Sequence, residues 1–207
     1  MSITLYHHPF SRAANVVWFL EEIGVPYELR FVDLMKGGQK ASDIVALNPM
    51  GKVPILRDGD LVVTEAAAIG LYLADRYSLG RLAPSPDELA RGAYLRWCLF
   101  APSVIEPAVS ARSADAQFKP SQVGWGTYES VIASMESAVA GRSYVLGDRF
   151  SMADCIFGGA VRYLLRFKLI EATPTLTAYA ERLAARPAAQ RADAKNTAIA
   201  KEHGLGG

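Results

Sequence analysis

Several places in the chain put polar chemistry where a strand gives way to a helix or loop. Ser11 follows the β-prone run Ile3 to Tyr6 and opens a helical stretch. A hydroxyl there caps the helix, and the helix N-terminus favours a neighbouring anion. Thr64-Glu65-Ala66 repeats that arrangement after a later strand, so its N–H groups attract an anion. Glu65 reads equally as a first-turn acid that complements the dipole. Val53-Pro54 precedes a strand. A trans proline would simply border it, whereas a cis bond would turn the backbone of residue 53 towards a cleft. Gln39, Lys40 and Lys52 lie in loops, where a flexible cation suits a single exposed carboxylate and where a lone lysine is otherwise a solvated charge. Tyr6 ends the first strand. It is either a phenol donor or a half-buried sheet aromatic.

Other candidates are weaker. Pro9-Phe10-Ser11-Arg12 contains no cysteine, which argues against thiol exchange through a protein thiolate. His7, His8 and His203 are few and scattered, so no metal is expected. Ser151 and Asp154 stand at the spacing of a capping box, a structural role.

These residues need elements to hold them. Ile3 to Tyr6 reads as a strand and Arg12 to Ile23 as a helix, with Gly24 and Pro26 as its stop. Tyr27 to Asp33 alternates apolar and polar, as a half-buried strand does. Strand, helix, strand implies a parallel pair. A short helix over Ser42 to Leu47 ends at the turn Asn48-Pro49-Met50-Gly51. Val53 to Leu56 and Leu61 to Val63 flank an Asp-Gly turn and read as a hairpin. Thr64 is expected to cap a helix running to about Tyr77.

Residues 78–86 read as a linker. Beyond it strands disappear. Helices are expected over Asp87 to Arg112, Gly124 to Ala140, Ser151 to Lys168, and from Thr173-Pro174 to about Arg186. The tail after about 188 is Ala-rich and loses apolar periodicity. The expectation is residues 1–77 as an α/β domain (βαβ-ββα), then residues 87–207 as an all-α helical bundle.

Composition sets limits. In 207 residues, 51% hydrophobic and 21% charged excludes wholesale disorder. A net charge of +1 offers no general attraction to nucleic acid or anionic membrane. Cys98 and Cys155 cannot form a disulfide framework and read as buried fillers, which suits a reducing compartment. No apolar run reaches the roughly 18 residues of a membrane span. The N-terminus lacks a basic region followed by an apolar run, so no signal peptide is expected.

Three segments, in order, resemble the cytosolic glutathione S-transferase family over about residues 1–190. Asn48-Pro49-Met50-Gly51-Lys52-Val53-Pro54-Ile55-Leu56 is similar to its NPxGKVPxL loop. Leu61-Val62-Val63-Thr64-Glu65-Ala66-Ala67-Ala68-Ile69 is similar to its L-x-E-(S/A/G)-x-A-I helix start. Ser151-Met152-Ala153-Asp154 is similar to its capping box. The resemblance implies a thioredoxin-like domain followed by the helical domain, with glutathione between them.

It also implies roles. Pro54 would be cis and Val53 would offer its backbone to the cysteinyl peptide. Glu65 would pair with the γ-glutamyl ammonium, and the Ala66 N–H with its carboxylate. Many members carry serine at position 66, so Ala66 forfeits one bond of about 1.5–3 kcal/mol. Gln39, Lys40 and Lys52 would face the glycyl carboxylate, and Arg12 would lie near the ligand. Ser11, as in serine-type members, or Tyr6, as in tyrosine-type ones, would stabilise the thiolate. Trp97, Phe100, Arg96 and Tyr163 are either lining for an electrophile or core. The stretch around Ser11 departs from the Ser-Ser-Cys pattern of the isomerase-like class.

The implied activity is a bacterial-type glutathione transferase, cytoplasmic and homodimeric. It would attack a small hydrophobic electrophile or reduce a peroxide, in detoxification. A glutathione-dependent disulfide-bond reductase or dehalogenase would use the same first-substrate site. A non-catalytic interaction module shares the fold.

Overall fold

The computed structural model describes residues 3–206. Four strands form one mixed sheet in the order β2-β1-β3-β4. They are β1 (Ile3–His7), β2 (Tyr27–Phe31), β3 (Ile55–Asp58) and β4 (Leu61–Thr64). β1 and β2 are parallel, joined by α1 (Ala13–Ile23). β3 runs antiparallel to both β1 and β4. Alternation along β1 divides the core. Leu5 pairs with Leu56 on one face, the side covered by α1. Tyr6 and Ile55 face the other way, into a cluster with Val32 and with Ile44 of α2 (Ser42–Leu47).

Local signals set most boundaries. Gly24 ends α1 with φ 81, the left-handed cap that glycine permits. β2 stops two residues before Asp33, whose carboxylate accepts the N–H groups of Met35 and Lys36 and starts a turn. The hairpin turns on Gly59 and Asp60, and Asp58 is the last residue of its strand. Asp58 is buried and accepts hydroxyls from Tyr72 and Tyr77 of α3 (Ala66–Ser78). Thr64 is not the cap of α3. It ends β4, and Glu65 provides the carbonyl that accepts the Ile69 N–H at 2.9 Å.

The chain divides into two compact units: the residues up to Ser78 together with those from Arg186 onward, and Leu79–Ala185. The tail is therefore a correction. It forms α9 (Pro187–Glu202), which packs on α1 of the first unit, not with the other helices. Ala188, Ala189 and Ala192 are its buried face. Small residues allow close approach of two helices but carry no strong apolar period. Ion pairs border this contact: Arg186 with Glu22, and Arg191 and Lys195 with Glu21.

The second unit is helical. The helix expected over Asp87 to Arg112 runs as α4 (Ala90–Phe100), a π-helical turn over Ala101–Ile105, and α5 (Glu106–Ser113), with helical backbone at both junctions. Pro102 and Pro107 supply no N–H to the ladder, and the widened turn lies beside them. α6 (Tyr128–Val139) starts four residues later than Gly124, where Thr127 accepts the Ser130 N–H. α7 (Met152–Arg166) and α8 (Pro174–Ala184) start at the expected caps. The supposed linker is ordered, with Leu82, Ala83 and Pro84 buried and the Leu82 carbonyl accepting the Met152 N–H at 2.8 Å. Cys98 and Cys155 are buried and form no disulfide. No helix among the described residues is long and apolar enough to cross a membrane.

Candidate functional site

Sheet register brings the candidates to one edge. Tyr6 of β1 pairs with Ile55 of β3, and Ile55 with Thr64 of β4. The C-terminal ends of β1 and β4 and the N-terminal end of β3 thus form one row, at strand spacings of about 4.8 Å. Ser11 lies just past β1, Val53-Pro54 just before β3, and Glu65-Ala66 just past β4. Three segments distant in sequence share one end of the sheet, and two of them open helices.

Ser11 is half-buried. Its hydroxyl donates to the His8 carbonyl at 2.8 Å and accepts the Ala13 N–H at 3.1 Å. It therefore closes the turn into α1 as well as facing the helix start. Tyr6 differs. Its ring is 4% exposed in the core cluster, and its hydroxyl accepts from Arg30 at 3.4 Å. Arg30 also lies over the ring at 5.1 Å and pairs with Asp43 of α2. The side chain of Tyr6 is thus engaged on the α2 face. Arg12 is exposed at the first turn of α1.

The Val53–Pro54 bond is cis. Val53 precedes the ladder, which starts at Ile55. The loop before it is held by Asn48, a buried residue to which the sequence reading gave no separate role. Its side chain accepts the Met50 N–H at 3.1 Å and donates to the Lys52 carbonyl at 3.0 Å. An Asn followed by Pro-x-Gly is the local signal for such a turn. Gly51, at φ 57, has room for no side chain: a Cβ there would lie 2.9 Å from the Gln39 carbonyl. That approach brings the turn Gly38–Lys40 against the Asn48–Gly51 loop. Lys40 donates to the Met50 carbonyl at 3.0 Å. The buried Gln39 Oε1 has no partner. Lys52 is exposed.

Glu65 is exposed and has φ 63, a conformation non-glycine residues seldom adopt. Ala66, half-buried, is the first residue of α3. Its methyl offers no hydroxyl to a ligand at this helix start.

Around the sheet end, His7 is buried and its Nε2 lies 2.6 Å from Asn196 Oδ1 of α9. Asn196 also donates to the Ala14 carbonyl at 3.2 Å. Burial lowers His7 to about 4, against the opposing effect of that hydrogen bond. Nothing local in the sequence signals Asn196, because α9 reaches α1 only through tertiary packing. Among the described residues no group of three or more His, Cys, Asp or Glu could hold a metal ion.

Elsewhere, Ser151 and Asp154 form the expected capping box on α7. Asp154 also accepts the Val145 N–H and the Tyr179 hydroxyl, both at 2.9 Å. Trp97 is buried in an edge-to-face cluster with Phe100 and Phe157. Arg96 lies over the Trp97 ring at 4.2 Å. Tyr163 is exposed and paired with Phe167.

Comparison with known proteins supports the family and the fold. A family model for the glutathione S-transferase N-terminal domain matches residues 1–75, and one for the C-terminal domain matches residues 102–187. Glutathione S-transferase F10 of Arabidopsis thaliana is 29% identical, over 94% of this chain and 98% of its own. A glutathione transferase from Methylococcus capsulatus superposes with TM-score 0.79 at 28% identity, over 95% of this chain and 100% of that one. A glutathione transferase family member from Pseudomonas fluorescens, solved with two glutathione bound, superposes with TM-score 0.76 at 25% identity, over 92% and 91%.

Proposed function

The chain belongs to the glutathione S-transferase family, and on that premise we propose that it activates the glutathione thiol at Ser11. The thiolate would attack a small hydrophobic electrophile or reduce a peroxide. The observation that carries the reading is the row Tyr6–Ile55–Thr64, which sets Ser11, Val53 and Glu65-Ala66 at one sheet end. Glutathione bound there would be read along its length: Glu65 and the Ala66 N–H at the γ-glutamyl end, the Val53 backbone at the cysteinyl peptide, and Gln39, Lys40 and Lys52 at the glycyl carboxylate. Arg12 would lie beside the ligand on the first turn of α1.

Ser11 can serve the sulfur without leaving its place. The Ala13 N–H stays on Oγ while the hydroxyl hydrogen swings from the His8 carbonyl to the thiolate. A donor arriving at Oγ polarises the O–H and strengthens the bond it gives. A free thiol titrates near about 8.5. Lowering it by about 2 units requires roughly 2.7 kcal/mol. One charge-assisted hydrogen bond together with the dipole of α1 supplies about that much. Tyr6 is the poorer candidate because its ring is packed in the cluster with Val32, Ile44 and Ile55, on the α2 face of the sheet. The reading extends to a cytoplasmic homodimer, and sedimentation of the purified chain tests the dimer.

The decisive experiment is an ultraviolet titration of the thiolate on the protein at saturating glutathione. The wild type is expected to show thiolate well below the pH at which free glutathione ionises. Ser11→Ala is expected to move that midpoint up by about 1–2 units, and Tyr6→Phe to leave it in place. An unshifted thiol in the wild type would overturn the reading.

A further inference from the structure

We propose that His8 is a positioning residue for Ser11: its ring and its carbonyl together hold the turn that presents the serine hydroxyl. The inference rests on Ser11 being the thiolate donor. Its basis is a set of bonds converging on one residue between β1 and α1. The His8 carbonyl accepts the Ser11 N–H at 3.1 Å and the Ser11 hydroxyl at 2.8 Å. The His8 Nδ1 accepts the Phe10 N–H at 3.2 Å. The side chain thus takes an N–H two residues on, the bond that an asparagine makes in an Asx turn.

The ring is fixed by what surrounds it. His8 is 2% exposed. It stacks on Phe31 with centroids 5.6 Å apart and meets the edge of Phe10 at 5.9 Å. Phe31 in turn stacks on His203, just past α9, at 3.7 Å and 7°. The column His8–Phe31–His203 therefore ties the serine turn to β2 and to the end of α9. An acceptor for a main-chain N–H needs one bond, whereas this ring is also packed against two others.

Only the neutral ring can do this work. With Nδ1 accepting, the proton sits on Nε2, which has no partner. Protonation puts a second hydrogen on Nδ1, against the Phe10 N–H, and breaks the bond. The surroundings mostly oppose that event. Burial and His203 hold the His8 imidazole below its ordinary value, and Asp33 acts the other way. Asp33 is itself held by Lys36 at 3.2 Å, and His7 is the adjacent titratable neighbour. The expected consequence is an acid-side loss of thiol activation that follows the ring of His8, not glutathione.

Two variants separate ring from acceptor. His8→Asn keeps an acceptor for Phe10 and cannot titrate; His8→Phe keeps the aromatic column and has no acceptor. Amide exchange at Phe10 and Ser11 is measured by NMR against pH in the full chain without glutathione, alongside the His8 ring signals. In the wild type, protection at both amides is expected to fall as the His8 ring titrates. In His8→Asn it is expected to persist across that range, and in His8→Phe to be reduced about tenfold at every pH. Bound glutathione in His8→Phe is then expected to titrate closer to the free thiol, with kcat down about tenfold and KM for glutathione within about twofold. Amides that ignore the His8 titration, or stay protected in His8→Phe, overturn the proposal. The amide result needs no glutathione, so it stands or falls apart from Ser11→Ala, whose failure would instead overturn the role of Ser11.

Discussion

Glu65 holds a left-handed backbone that its Cβ opposes, at φ 63, where a glycine would sit without strain. The cost is of order 1 kcal/mol, and it falls on an acid at the start of a helix in the candidate site. Strain retained beside a site is consistent with a ligand-facing carboxylate. Glu65→Gly is therefore expected to raise stability by up to about 1 kcal/mol while weakening glutathione binding, read by urea titration and by calorimetry. Weaker binding without any gain in stability would show that the backbone stores nothing there. At this scale the motif residues were legible, since Glu65, Val53-Pro54 and Ser11 stand at strand ends that the sequence marks. Their hydrogen-bond partners were not. That the Ser11 hydroxyl would meet the His8 carbonyl, or that the Tyr6 phenol would lie against Arg30, depends on side-chain directions that no spacing encodes.

Helix α7 shows an element whose start is written in the chain. Asp154 accepts from the Ser151 N–H and hydroxyl, the Val145 N–H and the Tyr179 hydroxyl, all buried. Two of those bonds follow from the spacing of Ser151 and Asp154. The others join α7 to α8 and to the preceding loop, and only packing supplies them. Asp154→Ala would leave several buried donors without an acceptor. The expected loss is about 3 kcal/mol, seen as a lower urea midpoint, with the thiol titration of the folded variant unmoved. A shifted thiol midpoint would give Asp154 more than a structural part. Helices α4 and α5 show the opposite case. Periodicity predicts one helix and the helical backbone does run on, but the π turn over Ala101–Ile105 between them is marked by no apolar spacing.

For the whole molecule, His7 in one unit and Asp154 in the other respond to acid with opposite signs. His7 in the first unit is neutral when folded, lowered by burial to about 4 from an ordinary 6.5. The unfolded chain binds that proton first, so stability is lost as pH falls from 6.5 towards 4. Glu21, held down to about 2 by Lys195, Tyr27 and Arg191 against its burial, extends the loss below 4.5. Asp154 in the second unit is raised by burial to about 6 from 3.8. Here the folded state takes the proton first, so stability grows as pH falls through 6 towards 3.8. The shifts of His7 and Asp154 are each worth up to about 3 kcal/mol. Hydrogen exchange at pH 7 and pH 5 is expected to show protection in α1 falling relative to α7. An unchanged ratio would refute the assignment.

The four strands, most of the helices, the caps of α7 and α8, the turn before the cis proline and the family itself follow from the chain, because each depends on neighbours within a few residues. The placement of α9 does not. Its buried face is alanine, which carries little apolar signal, and its fastenings reach across more than 160 residues, from Arg186 to Glu22 and from Asn196 to His7. Contacts of that reach exist only once the sheet has formed. Hence the polar groups near the serine turn were visible as residues, while the bonds that hold them, and the helix that completes their unit, came from the fold.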